Sequence, residues 1–149
     1  MLDEYWQDSK ATRDAFRGEW CSVGDMARED QEGYIFLEDR KKDMIITGGE
    51  NVYPTEVENV ICKLRNVSEA AVVGLPDELW GERVHAAVEL KQGRTATEEE
   101  IRSWCRESLA GYKCPKSVDF VEELPKSATG KILRRVVRES CSPKTKSIE

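Results

Sequence analysis

Two apolar segments with different periods limit how this chain can fold. Ala70-Ala71-Val72-Val73 is an unbroken apolar run and reads as a strand buried on both faces. Val84, Ala86, Val88 and Leu90 alternate with His85, Ala87, Glu89 and Lys91, which predicts a half-exposed strand. His85, the only histidine, then falls on the polar face and is expected to be a structural surface residue. Helical patterns flank these strands. Pro54 suits a first helical turn, where its missing N–H is no loss, and Val57, Val60, Ile61 and Leu64 make the buried stripe that follows. Thr97 and Glu100 form a capping box for a helix with Ile101, Trp104, Cys105 and Leu109 inward, ended by Gly111. Val118 and Phe120 mark a third strand; Ile132, Val136 and Val137 mark a last short helix. Met44-Ile45-Ile46 is a short strand broken by Gly48-Gly49. This order predicts an α+β fold: a central sheet of about three strands flanked by helices, plus a short β-hairpin.

The first part of the chain reads differently. Residues 1 to about 17 are polar and suit a short helix. Trp20-Cys21-Ser22-Val23 and Tyr34-Ile35-Phe36-Leu37 are strand-like, with Gly33 in the turn between them, so they are expected to pair as a hairpin. The tail from Ser140 is polar and expected to be disordered. At 149 residues, with 39% hydrophobic and 35% charged residues, the chain fits one domain with an appendage and a small core. The net charge of −6 argues against general nucleic-acid or membrane-surface binding. No apolar run reaches membrane-spanning length, and no signal-peptide pattern is present. Basic residues cluster at Arg40-Lys41-Lys42 and at Arg134-Arg135, which suits a small anionic ligand. The five cysteines include no Cys-x-x-Cys pair, so neither a zinc site nor a disulfide framework is expected. Cys62 and Cys105 read as core fillers on helix faces, and a reducing cytosol is the simplest compartment.

Three motifs carry chemistry. Pro125-Lys126-Ser127-Ala128-Thr129-Gly130-Lys131 puts a lysine just after a Thr-Gly turn. Asp39-Arg40-Lys41-Lys42-Asp43 leads into Thr47-Gly48-Gly49-Glu50-Asn51-Val52-Tyr53-Pro54, and Trp20-Cys21-Ser22-Val23-Gly24-Asp25 stands earlier. In this order the three resemble the C-terminal signatures of the adenylate-forming enzymes: acyl-CoA synthetases, peptide-synthetase adenylation domains and luciferases. Val23 stands where the family usually has threonine. The Gly-Gly-Glu-Asn-Val-Tyr-Pro wording looks most like the acid–CoA ligases. The likeness runs from about Tyr5 to Arg138. The family's Ser/Thr/Gly-rich phosphate loop and its acid pocket are not in this sequence.

The resemblance implies a division: residues 1–39 as the end of a large N-terminal adenylation domain, 40–42 as a hinge, 43–139 as the mobile C-terminal domain, and 140–149 as a tail. It implies a two-step reaction, in which a carboxylic acid attacks the α-phosphate of ATP and the thiol of coenzyme A then displaces AMP. By motif position Lys131 is the catalytic lysine that stabilises charge in the first step. Asp25 matches the carboxylate that grips the ribose hydroxyls, Arg40 a second ribose contact, and Lys42 the hinge. Gly48 and Gly49 would admit the pantetheine arm of coenzyme A. Trp80, Tyr112 and Lys116 are candidates for its nucleotide; partial burial and solvation are the plain alternative for these three. Magnesium would be bound mainly by the N-terminal domain, which is the implied partner, with the isolated chain inactive. A Pro-x4-Gly-Lys pattern ending at Lys131 resembles an acetylation site of this family, implying a lysine acetyltransferase as a further partner. Two other readings compete: an adenylation-domain fragment of a peptide synthetase, and a non-catalytic stand-alone binding module.

Overall fold

The computed structural model describes residues 4–141, so most of the expected tail, from 142 on, lies outside the described residues. The chain divides into two compact units, residues 1–42 and 43–149.

The first unit opens with α1 (Ser9–Ala15), whose Asp8 carboxylate accepts from the Ala11 amide at 2.8 Å. Two antiparallel pairs follow: β1 (Phe16–Arg17) with β2 (Trp20–Cys21), and β3 (Asp25–Glu29) with β4 (Ile35–Arg40). The expected partnership of Trp20–Val23 with Tyr34–Leu37 is therefore corrected. The Asp30 carboxylate accepts from the amides of Glu32 and Tyr34, at 2.9 and 3.0 Å. That turn sets Glu29 opposite Ile35, so β3 takes the place beside β4.

The second unit holds the core. Its elements run β5 (Ile45–Thr47), β6 (Glu50–Val52), α2 (Pro54–Ile61), β7 (Val67–Asp77), β8 (Gly81–Leu90), α3 (Glu98–Ser108), β9 (Ser117–Val121) and α4 (Arg134–Cys141). The β5–β6 hairpin joins the main sheet, which has five strands in the order β6-β5-β8-β7 with β9 also on β8. Along one edge of β8, β7 pairs from Val67 to Asp77. The other edge is shared: Thr47 of β5 sits opposite Gly81, and β9 runs parallel to His85–Glu89.

Residues Val84 to Val88 are all buried, His85 included at 2% exposure, so the half-exposed strand and the surface histidine are both corrected. Both faces of β8 are covered. One packs Val84, Ala86 and Val88 against Val57 and Ile61 of α2 and Ile101 and Cys105 of α3. The other packs Ala87 with Ala71, Val73 and Leu75 of β7, Leu124, and Val137 of α4. The alternation along β8 separates two cores and does not separate core from solvent.

Helices α2 and α3 start where predicted, but α4 starts at Arg134, which leaves Ile132 in a bridge with Lys126, and α2 ends at Ile61, before Leu64. Thr97 and Glu100 close a reciprocal capping box on α3, and Pro54 opens α2. Trp104 donates its indole N–H to the Val60 carbonyl at 2.8 Å, tying α3 to the end of α2. Leu109, two residues before the expected Gly111, caps α3. Cys105 is fully buried, and burial pushes its thiol up to about 11. Cys62 is exposed instead of filling the core. It caps α2 one step beyond Ile61, which turns it off the buried stripe. Helix α4 continues through Ser140 and Cys141, two residues into the expected tail.

Candidate functional site

Lys131 sits on a braced turn. Gly130 has φ +79°, a conformation that costs a residue with a Cβ, and its amide donates to the Ser127 carbonyl at 2.9 Å. Ser127 donates back to the Lys131 carbonyl at 2.8 Å, and its hydroxyl accepts from the Lys131 amide at 3.2 Å. Below the turn Lys126 and Ile132 form an antiparallel bridge, and Leu133 donates to the Pro125 carbonyl. The Lys126 ammonium pairs with Glu69 of β7, and that hydrogen bond raises its pKa. The backbone under Lys131 is thus tied on both sides, while its side chain is exposed and has no ion-pair partner among the described residues. The Thr-Gly turn expected from the sequence is the tip of a hairpin fixed to the sheet.

Asp25 and Arg40 face each other across the β3–β4 pair, and the Arg40 Nε lies 2.8 Å from an Asp25 carboxylate oxygen. Beside them Ser22, Val23, Gly24, Arg40, Lys41 and Lys42 line part of an open hollow in the first unit. Lys42 is exposed and is the last residue of that unit.

The second cluster gathers at the start of β8. Gly48 and Gly49 are the two-residue loop of the β5–β6 hairpin, with φ +59° and +84°. The Trp80 ring covers Gly48 so closely that an added Cβ would lie 2.7 Å from it, and the Gly48 amide donates to the Trp80 carbonyl at 2.9 Å. Space at Gly48 is therefore taken by Trp80. A Cβ on Gly49 would meet nothing within 4 Å. Trp80 remains 49% exposed, and Asp77 holds its loop by accepting from the Leu79 and Trp80 amides. Lys116 joins this end of the sheet through its amide, which donates to the Val84 carbonyl at 2.8 Å; its ammonium is exposed. Tyr112 is partly exposed, with the Lys113 ammonium 5.9 Å from its ring centre. Lys113 is itself engaged by Glu56 of α2 at 2.8 Å.

The Lys131 turn and the Gly48–Trp80 cluster stand toward opposite ends of the sheet. Glu69, which anchors the turn, lies eight residues before Asp77, which anchors Trp80; at a strand rise near 3.3 Å that is about 26 Å.

Several charged residues hold these parts in place. Arg134 is not available to an anionic ligand, which corrects that reading of the Arg134-Arg135 pair. Its guanidinium meets both Glu58 oxygens at 2.6 and 3.0 Å, Thr55 at 3.0 Å and Asp43 at 3.3 Å. Glu58 also accepts from the Val72 amide on the edge of β7 at 2.8 Å. Glu82 lies over Gly74, accepts from the Ile46 amide at 3.0 Å and pairs with Arg138 of α4. These links bridge elements far apart in sequence, and no local pattern reports them.

His85 is held under α4. Its Nδ1 is 2.8 Å from the Ser117 hydroxyl, and burial lowers its pKa against the opposing pull of Asp119.

Comparison with known proteins gives the family. Residues 56–131, just over half of the chain, match the family described as AMP-binding enzyme C-terminal domain. A long-chain-fatty-acid–CoA ligase, FadD13, of Mycobacterium tuberculosis is 51% identical over 142 residues, covering 95% of this chain and 28% of that protein. The 2-succinylbenzoate–CoA ligase of Geobacillus kaustophilus is 46% identical, covering 95% and 29%. Among solved structures, the o-succinylbenzoate CoA synthetase of Bacillus subtilis, in complex with its acyl-adenylate intermediate, superposes with a TM-score of 0.83 at 36% identity, covering 91% of this chain and 28% of that one. The chain spans less than a third of the length of these relatives. The α+β fold with its five-stranded sheet, the matched segment from α2 to Lys131 and the identity along nearly the whole chain agree: this protein belongs to the AMP-binding enzyme C-terminal domain family.

Proposed function

We propose that this chain works as the C-terminal part of an acid–CoA ligase, in concert with a large N-terminal adenylation domain that holds ATP, its magnesium and the acid. The observation that carries this reading is Lys131: an exposed, unpaired ammonium on a turn whose backbone is fixed to the sheet. A lysine so mounted is delivered by movement of the whole unit. In the first half-reaction the carboxylate attacks the α-phosphate and pyrophosphate leaves. Lys131 offsets the charge that gathers on the attacking and phosphoryl oxygens where water is excluded. Asp25 accepts hydrogen bonds from the ribose hydroxyls, with Arg40 orienting it.

In the second half-reaction the thiol of coenzyme A attacks the acyl carbon, and AMP leaves. The Gly48–Gly49 loop, Trp80, Tyr112 and Lys116 form the surface for coenzyme A. Its location away from the Lys131 turn suits two half-reactions that use different ends of one domain, with Lys42 as the pivot. Acetylation of Lys131 by a lysine acetyltransferase would remove its charge and switch off the first step. A cytosolic setting is consistent with five free cysteines, and no helix among the described residues is long and apolar enough to cross a membrane.

The test joins the chain to the adenylation domain of an acid–CoA ligase and measures the half-reactions separately. Lys131→Ala is expected to nearly abolish acid-dependent pyrophosphate exchange while sparing thioester formation from supplied acyl-adenylate. Exchange within a few-fold of wild type would overturn the proposal.

A further inference from the structure

The geometry points to a zinc-type metal site that pins the end of α4 to the sheet, with His85 Nε2, the Asp119 carboxylate and the Cys141 thiolate as ligands. The three ligand atoms lie within 4.8 Å of one another and come from β8, β9 and α4. The fold explains why they meet. In the parallel β8–β9 register His85 stands opposite Ser117 and Ala87 opposite Asp119, so His85 and Asp119 lie two steps apart on one face. Cys141 is four residues after the buried Val137 on α4 and shares its side of the helix.

A second observation points to a ligand. His85 is 2% exposed, yet its Nε2 has no hydrogen-bond partner among the described residues. The nearest Asp119 oxygen is 3.6 Å away, too far for a good hydrogen bond but suited to two ligands of one ion. A tetrahedral ion with bonds near 2.0–2.1 Å to nitrogen and oxygen separates such atoms by roughly 3.4 Å. Nδ1 meets the Ser117 hydroxyl at 2.8 Å, and a proton held there leaves the Nε2 lone pair free for a metal. The Asp119 side chain is 60% exposed, so it can rotate inward and leaves an entry path. On binding, Cys141 gives up its thiol proton to solvent and a metal–sulfur bond forms, with water in the fourth position. Imidazole, carboxylate and thiolate together suit zinc or cobalt(II) better than magnesium or calcium.

Cobalt(II) titration of the full chain tests this directly. One equivalent should produce a thiolate-to-cobalt charge-transfer band with the visible bands of a four-coordinate ion, and zinc should displace it. Cys141→Ser should abolish the band, while Cys21→Ser and Cys62→Ser keep it. Ser117→Ala should weaken binding about tenfold. Zinc should raise the melting temperature of the wild type and leave that of Cys141→Ser unchanged. His85→Gln alters a buried side chain and can fail to fold, so the Cys141 variant, part-exposed at a helix end, is decisive. No charge-transfer band, or one that survives Cys141→Ser, would overturn the site.

Discussion

Residues 34–37 and 84–88 are similarly apolar, and they meet opposite fates. In the first unit Ile35 and Leu37 are 70% and 76% exposed, and none of residues 4–42 is buried. In the second unit Val84 through Val88 are sealed on both faces. The difference lies in what surrounds the strands. Among the described residues, no residue of the β3–β4 pair belongs to a hydrophobic core, whereas β8 has α2 and α3 on one face and α4 on the other. A two-stranded ribbon alone cannot close a core. Contiguous exposed apolar residues of this kind mark a surface that another body covers. In the function proposed above, that body is the large domain.

The most direct way to break this contrast is hydrogen exchange on the isolated chain. Amides of β7 and β8 should exchange at least about a thousandfold more slowly than those of residues 9–40. Equal protection in both units would show that the first unit is stable in its own right. A second experiment probes the junction between the units. With an adenylation domain supplied, Lys42→Pro should slow the thioester step on the order of a hundredfold and the adenylation step much less, since proline fixes a backbone angle that must change. Equal losses would make Lys42 an ordinary linker residue.

Smaller effects sharpen the same comparison. Ile101→Ala should destabilise the second unit by about 2–5 kcal/mol in urea unfolding, and Leu37→Ala should change it by less than about 0.5 kcal/mol. Gly48→Ala should cost about 1–3 kcal/mol, from its positive φ and the Trp80 ring, and more than Gly49→Ala, where space is open. A smaller penalty at Gly48 would mean that Trp80 moves aside freely. Thr97→Ala should remove about 1 kcal/mol through the lost cap of α3. Asp8→Ala, at the equivalent cap of α1, should leave the unfolding midpoint unchanged, because α1 buries nothing.

Much of the site was legible because its signals are local. Thr129-Gly130-Lys131 announces a turn with a cation after it, and the capping box and the Pro54 start are contained within a few residues. The motif order carried the family and the candidate residues Asp25, Arg40, Lys42 and Lys131, and the order of strand and helix patterns carried the α+β class. What the pattern misjudged depends on partners distant in sequence. Period-two alternation on β8 looks the same whether the second face meets water or α4, so His85 was assigned to the surface. Arg134 looked like a free anion ligand because its partners Asp43 and Glu58 lie 91 and 76 residues away. The grouping of His85, Asp119 and Cys141 has no sequence signature for the same reason: the three converge only when β9 docks on β8 and α4 closes over them.

By itself, then, the sequence determined the elements whose causes are local: turns, caps, helix stripes and the lysine at the turn. Tertiary structure alone decided which faces are buried, where the charges pair, that Trp80 occupies the space over Gly48, and that the Lys131 turn is bound to Glu69 through Lys126. Burial and charge pairing are properties of what packs against a residue, and that is set by strand order and helix docking across the whole second unit.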